Sequence, residues 1–317
     1  MDFSLYKWEV TPTIQQLLIK LEAVKLVFEG LKINPQIEEN LRKTALLKSA
    51  VYSARIEGFL DTVNSPKLES QNLVRAYNLV RSQQAPKNLT LGFTKSLHKL
   101  VLMDISGNAG QLRGEAWAIY NQAGVIIHTA WPHYELPEVM PRYVSYVNGL
   151  RDHSVIKAAV AQFVFEKIHP FADGNGRAGR LVSAFLLARH GYGFRGLAPF
   201  EQYIDEHRDA YYYALQPSHK INDFIEYVLE ALTSQALQTI DQLKVSEESK
   251  SNVILSPRRQ EIVQLIQDHP YCSLDSIHRR FMNINVKTLA YDISQLIKQG
   301  HIKKVGSTRG ASYLVTT

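Results

Sequence analysis

The sequence predicts a mainly α-helical protein with one short β-hairpin in its middle and a small module of helices and short strands at its C-terminal end. Three observations carry this. Apolar residues recur at helical spacing through most of the chain. One glycine-punctuated stretch, 103–135, breaks that pattern with short runs of β-branched and aromatic residues. Beyond residue 245 the composition shifts to Ser246-Glu247-Glu248-Ser249-Lys250-Ser251-Asn252, which holds no apolar residue and reads as a linker.

Thr11-Pro12 and Asn34-Pro35 are cap-plus-proline pairs of the kind that start helices. Ile14, Leu17, Leu18, Leu21, Val24 and Phe28 make the first helix amphipathic. Leu41, Ala45, Ala50 and Ala54 give the second a close-packing face, and it ends at Glu57-Gly58. Ser65-Pro66 reads as the cap of a third helix through Leu68, Val74, Tyr77 and Val80, and 89–102 makes a fourth. The hairpin follows: Ala116-Trp117-Ala118-Ile119-Tyr120 and Val125-Ile126-Ile127 flank the turn-like Asn121-Gln122-Ala123-Gly124. Helices resume near Leu136. Ser154 reads as the cap of a run with Ile156, Ala159, Val160, Phe163 and Val164 that leads into His169. Leu181, Val182, Phe185 and Leu186 continue a helix closed by Gly191. Residues 201–215 read as one helix and 223–243 as another.

After the linker, helices are predicted at 257–268, from Ser273, and at 286–299 closed by Gly300. Short β-runs at 302–305 and 312–315 follow, joined by Gly306-Ser307-Thr308-Arg309-Gly310. Three helices and a hairpin in about 60 residues match a winged-helix pattern. The expected division is an N-terminal helical region at 1–88, a core at 89–245, a linker at 246–255 and a winged-helix domain at 256–317.

With 317 residues, 45% hydrophobic and 21% charged, the chain can bury a proper core. MDFSLYKWEV is not the pattern of a secretory leader, and no uncharged apolar run approaches the roughly 18 residues of a membrane span. Its single cysteine, Cys272, excludes an intrachain disulfide and suits a reducing compartment, so a cytoplasmic location is expected. A net charge of +6 and a pI near 9.2 lean toward anionic partners.

The densest chemistry lies in HPFADGNGRAGR, residues 169–180. Gly174-Asn175-Gly176 permits positive φ, so successive N–H groups can converge on an anion at a helix start. Arg177 and Arg180 lie three apart on one helix face and can both reach phosphate oxygens. Asp173 is a hard oxygen ligand suited to Mg²⁺ held against a phosphate. His169 titrates near neutrality and can take a proton from a hydroxyl. Base, carboxylate, nest and arginines together describe group transfer from a nucleotide. His128 and His133 lack the short helical spacing that would join them to His169 around zinc.

The segment resembles, at every specified position, the HxFx(D/E)GNGRxxR signature of the Fic family, filled here by His169, Phe171, Asp173, Gly174, Asn175, Gly176, Arg177 and Arg180. The resemblance implies a helical Fic fold and protein adenylylation: AMP moves from ATP to a Ser, Thr or Tyr hydroxyl of a target protein, self-modification included. It implies His169 as general base, Asp173 as the Mg²⁺ ligand, Gly174, Asn175 and Gly176 as the anion hole, and Arg177 and Arg180 on the β- and γ-phosphates. Phe171 would anchor the loop in the core. The hairpin looks like the family's flap, which holds the target by strand addition, with Ile126, Ile127 and His128 at its edge. Ser53-Ala54-Arg55-Ile56-Glu57-Gly58 is similar to the (S/T)xxxE(G/N) inhibitory motif, so Ser53 and Glu57 are expected to act on Arg180. Arg208-Asp209-Ala210-Tyr211-Tyr212-Tyr213-Ala214-Leu215 resembles the stretch that lines the base pocket, through Tyr211 or Tyr212. Fic proteins of this layout often pair, so a homodimer is expected.

Arg279, Arg280, Lys287, Lys298, Lys303, Lys304 and Arg309 give the last segment a basic bias. DNA binding is one reading, and with it a nucleotide-sensing transcriptional regulator. The third helix of that segment, with Lys287, Thr288, Asp292, Gln295 and Lys298 and no arginine, favours protein recognition instead.

Overall fold

The computed structural model describes residues 3–120, 126–216, 220–248, 255–282, 284–306 and 311–316, with backbone only at 119, 120, 127, 128 and 244–248. The chain divides into two compact units, Met1–Ile240 and Asp241–Thr317. No helix among the described residues is long and apolar enough to cross a membrane.

In the first unit, α1 (Pro12–Gly30) and α2 (Pro35–Ile56) begin as their cap pairs predict. The Thr11 hydroxyl accepts from the Ile14 N–H at 3.1 Å and the Asn34 side chain from the Gln36 N–H at 2.9 Å. The next helix, α3 (Leu68–Arg81), starts differently. Its cap position is Lys67, which has no side-chain cap, and the buried Asp61 carboxylate anchors the helix start by accepting the Lys67 N–H at 3.2 Å and the Ser70 hydroxyl. Ser65-Pro66 therefore belongs to a turn before the helix, bridged to Thr62. Thr90 caps α4 (Leu91–Val101).

The hairpin pairs β1 (Ala118–Tyr120) with β2 (Ile126–Thr129) in register Ala118↔Thr129 and Ile119↔His128, with an irregularity between Ile119 and Tyr120. Its turn, Asn121 to Gly124, lies outside the described residues, as does Val125. Then come α5 (Leu136–Gly149), α6 (Ser154–Ile168) and α7 (Asn175–Arg189). The cap of α6 is His153 rather than Ser154, its Nδ1 accepting from the Val155 N–H at 3.3 Å. Apolar on every side, α6 is the central helix of the unit, buried from Val155 to Ile168 except at Lys157 and Glu166. The run predicted as one helix over 201–215 is two, α8 (Phe200–Glu206) and α9 (Arg208–Ala214). His207 breaks it: its ring stacks on Tyr203 and bonds the Tyr203 carbonyl at 2.9 Å. The last helix, α10 (Asn222–Glu248), continues through Ser246, Glu247 and Glu248. Those residues contain no glycine or proline to stop it, so the first three positions predicted as linker are helical; residues 249–254 lie outside the described set.

The second unit holds α11 (Pro257–Asp268), β3 (Cys272–Ser273), α12 (Leu274–Arg280), α13 (Val286–Lys298), β4 (Ile302–Val305) and β5 (Ser312–Val315). The strands form one antiparallel sheet in the order β3-β5-β4. Ile262, Ile266, Ile277, Leu289, Ile293 and Leu296 form its core. Buried Asp292 accepts from Arg258 at 2.6 Å and Arg259 at 2.8 Å. Burial opposes its ionisation, but the two guanidiniums prevail and hold its carboxyl below the usual range.

Candidate active site

Where α6 ends, His169 turns the chain with φ 51° and ψ 61°, a left-handed conformation uncommon for a residue with a Cβ. Two contacts hold it there. Its N–H donates to the Phe165 carbonyl at 2.9 Å, and its carbonyl accepts from Arg113 Nε at 2.7 Å. The same guanidinium donates to the carbonyls of Glu115, at 2.6 Å, and Trp131. One buried arginine thus ties the histidine backbone to both ends of the hairpin. The imidazole stacks on Trp117, just before β1, with ring centroids 3.6 Å apart.

Phe171 is fully buried, as expected of an anchor, with its ring flat on that of His98 at 3.6 Å and 3°. His98 Nδ1 accepts from the Gly110 N–H at 2.9 Å, which leaves Nε2 to donate to the Asp173 carbonyl at 2.8 Å. Asn175 staples the loop from the other side. Its Oδ1 accepts from the Phe171 N–H at 2.9 Å and its Nδ2 donates to the Phe171 carbonyl at 2.8 Å. Its side chain is therefore committed to the loop backbone. Gly174, with φ +75°, donates its N–H to Asp173 Oδ1 at 2.6 Å. No side chain caps α7, so the N–H groups of Asn175, Gly176 and Arg177 have no acceptor within the helix and make an anion-binding end.

Both arginines are sealed in the protein. Arg177 places Nη2 at 3.3 Å from each oxygen of Asp173 and its guanidinium 4.9 Å from the Phe59 ring centre, while its Nε and Nη1 are buried with no partner. Unpaired buried guanidinium N–H groups are costly and mark where an anion belongs. Arg180 is 0% exposed. Its Nε donates to Ser53 Oγ at 3.0 Å, and its Nη2 to the Ser53 carbonyl at 2.8 Å and Glu57 Oε1 at 2.9 Å. Burial is the largest influence and disfavours its charge, but the Glu57 carboxylate together with the Tyr211 and Tyr77 hydroxyls outweighs it and raises its pKa. Glu57 lies against Gly176, where any Cβ would collide with Oε1. The Asp173 side chain is 67% exposed. Among the described residues no three His, Cys, Asp or Glu side chains gather into a metal cage. One exposed carboxylate fits instead a hard cation whose other ligands are water and substrate phosphate.

The comparisons follow the same residues. Residues 88–187 match the Fic/DOC family. A protein adenylyltransferase Fic of Culex quinquefasciatus is 34% identical over 101 residues, 30% of this chain and 19% of that protein. One of Drosophila mojavensis is 30% identical over 181 residues, 52% and 34% of the two chains. A probable protein adenylyltransferase of Aquifex aeolicus is 33% identical over 96 residues, 29% and 30%. A crystal structure of a Fic family protein from Desulfovibrio desulfuricans shares the fold across 97% of both chains, with TM-score 0.67 and 18% identity. The chain carries a Fic/DOC domain at residues 88–187, on the fold of Fic family proteins. It spans about a third or less of the length of these curated relatives.

Around this Fic loop the remaining predicted residues fall into place unevenly. Ile126 is 52% exposed on the hairpin, while the Ile127 and His128 side chains lie outside the described residues. Tyr211 is buried, its hydroxyl accepting from Gln162 at 2.9 Å and its ring meeting Tyr212, Phe224 and Tyr227, so it lines core. Tyr212 is half-exposed and donates to the Ile56 carbonyl at 2.9 Å, beside Glu57. Arg113, Trp117 and His98 were not singled out in the sequence. None belongs to a dense local pattern, and each acts on the Fic loop from more than 50 residues away.

Proposed function

We propose that this Fic protein is an adenylyltransferase that moves AMP from ATP to a Ser, Thr or Tyr hydroxyl of a target protein, itself included, and that Glu57 holds it inhibited. The observation that carries this is the pairing of an uncapped helix start with the buried, unpartnered Nε and Nη1 of Arg177, in one loop with exposed Asp173 and half-buried His169. That is a polyphosphate site with a base at its mouth.

In this reading the acceptor hydroxyl gives its proton to the His169 imidazole as its oxygen bonds to the α-phosphorus. The bond from that phosphorus to the bridging oxygen breaks, and pyrophosphate leaves. The first-turn N–H groups of α7 and Arg177 take up the charge on the departing phosphates. Asp173 would hold Mg²⁺, which supplies charge neutralisation on the phosphate oxygens when bound. The open edge of the hairpin would receive an extended segment of the target by strand addition, with Ile126 against it.

Glu57 occupies the Arg180 side of this site. While Arg180 is paired through Nη2 at 2.9 Å with Glu57 and tied twice to Ser53, the side of its guanidinium that Glu57 holds is closed to a terminal phosphate. We read the second unit as a winged-helix module for protein recognition. Arg258 and Arg259 are committed to Asp292, and Val286 and Tyr291 stand exposed on α13 among its lysines. Such a mixed face suits a protein better than a phosphate backbone.

The test uses Glu57→Gly with ATP labelled on either the α- or the γ-phosphate, in magnesium. Protein label from the α position alone supports adenylyl transfer; label from the γ position identifies phosphoryl transfer instead.

A further inference from the structure

Gly176 and Gly179 lie three residues apart on one face of α7, and each has a carboxylate laid against its bare Cα. Glu57 covers Gly176. Glu166, from α6, covers Gly179, its Oε1 2.6 Å from where a Cβ would stand. Arg180 is the next residue, and only one of the two carboxylates pairs with it. Two atoms here are buried with no hydrogen-bond partner, Nη1 of Arg180 and Oε1 of Glu166, and the Tyr211 hydroxyl also faces Arg180. The ionisable groups around Glu166 are Glu57 at the end of α2, Arg180 on α7, its neighbour Lys167, Tyr143 on α5, and Tyr211 and Tyr212 on α9.

We propose that Glu166 is a positioning residue for Arg180: when Glu57 withdraws, the Glu166 carboxylate pairs with the unpartnered side of the guanidinium and keeps it aimed at the terminal phosphates of the nucleotide. The inference rests on the reading of Arg180 as a phosphate ligand and Glu57 as its inhibitor. Its chemistry follows from the present state. Burial first, and the Glu57 charge second, push the Glu166 carboxyl up to about 8, so with Glu57 in place it is largely protonated at neutral pH. Withdrawal of Glu57 removes a like charge and lets Glu166 ionise beside a cation that has just lost its partner.

Equilibrium binding of Mg²⁺-ATP and of AMP to the full chain tests this in three variants: Glu57→Gly, Glu57→Gly with Glu166→Gln, and Glu57→Gly with Gly179→Ala, which displaces the carboxylate without removing it. Both double variants are expected to bind ATP about tenfold more weakly than Glu57→Gly, the scale of one oriented charged contact, and to bind AMP equally well. The dependence of ATP affinity on pH between 6 and 8 flattens in the Glu166→Gln variant. A purely structural role would weaken AMP and ATP alike. Unchanged ATP affinity, or a loss shared equally by AMP, overturns the proposal. Comparison of Glu57→Gly with the wild type judges Glu57, and comparison of the double variants with Glu57→Gly judges Glu166, so the two failures are distinguishable.

Discussion

Glu57 and Arg180 stand 123 residues apart in sequence and form a 2.9 Å ion pair in which the guanidinium is fully buried. Ser53, one turn before Glu57, supplies both its hydroxyl and its carbonyl to the same arginine. On the proposed reading of Glu57 as an inhibitor, the pair is a latch with separable parts. Ser53→Ala removes one hydrogen bond to a charged group and leaves the ion pair, so AMP incorporation is expected to rise about tenfold, and Glu57→Gly is expected to raise it further. Initial rates on the two variants check the order.

Asn175 is predicted to matter for folding more than for binding. Asn175→Ala leaves the N–H and C=O of Phe171 unpaired in a buried loop and is expected to cost about 2–4 kcal/mol, read by denaturant unfolding. A variant as stable as the wild type would remove the staple from the account.

Much of this was legible in the sequence because it is local. The loop carries its own chemistry within twelve consecutive positions, cap-plus-proline pairs open α1 and α2, and Ser53 and Glu57 sit one helical turn apart. What escaped is tertiary. The Asp61 anchor at the start of α3 and the His207 break between α8 and α9 are made by side chains whose partners a propensity argument cannot see. Asn175 reads as a turn residue in sequence, and only the Phe171 backbone beside it explains its inward side chain. Tyr211 and Tyr212 are alike in sequence, yet packing buries the first and exposes half of the second.

Arg113 fixes the backbone of His169, the base of the proposed reaction. Lysine cannot reach the carbonyls of His169, Glu115 and Trp131 together, so Arg113→Lys frees the strained His169 backbone. The expected result in the Glu57→Gly background is a fall in kcat of about 100-fold with ATP affinity retained, as for a misplaced catalytic group. Steady-state kinetics with parallel ATP binding checks it.

Glu166 also sets a pH dependence of stability. Its folded pKa of about 8 lies above the ordinary value of 4.5, so the folded state binds the extra proton between those values. The stabilisation is complete below about pH 4.5 and is lost as pH rises to about 8, at up to roughly 1.4 kcal/mol per pH unit. Glu166→Gln removes this slope. Calorimetric midpoints of both proteins from pH 5 to 9 should converge on the acid side and separate on the alkaline side, with the wild type lower.

In the proposed reaction His169 takes the acceptor's proton as AMP passes to the hydroxyl, and Glu57 restrains Arg180. This is tested most directly by initial rates of protein labelling from α-labelled ATP with magnesium, in the wild type, Glu57→Gly, and Glu57→Gly with His169→Ala. The account predicts slow labelling in the first, fast labelling in the second and none above background in the third. Equal rates in the first two, or label that persists without His169, would contradict it.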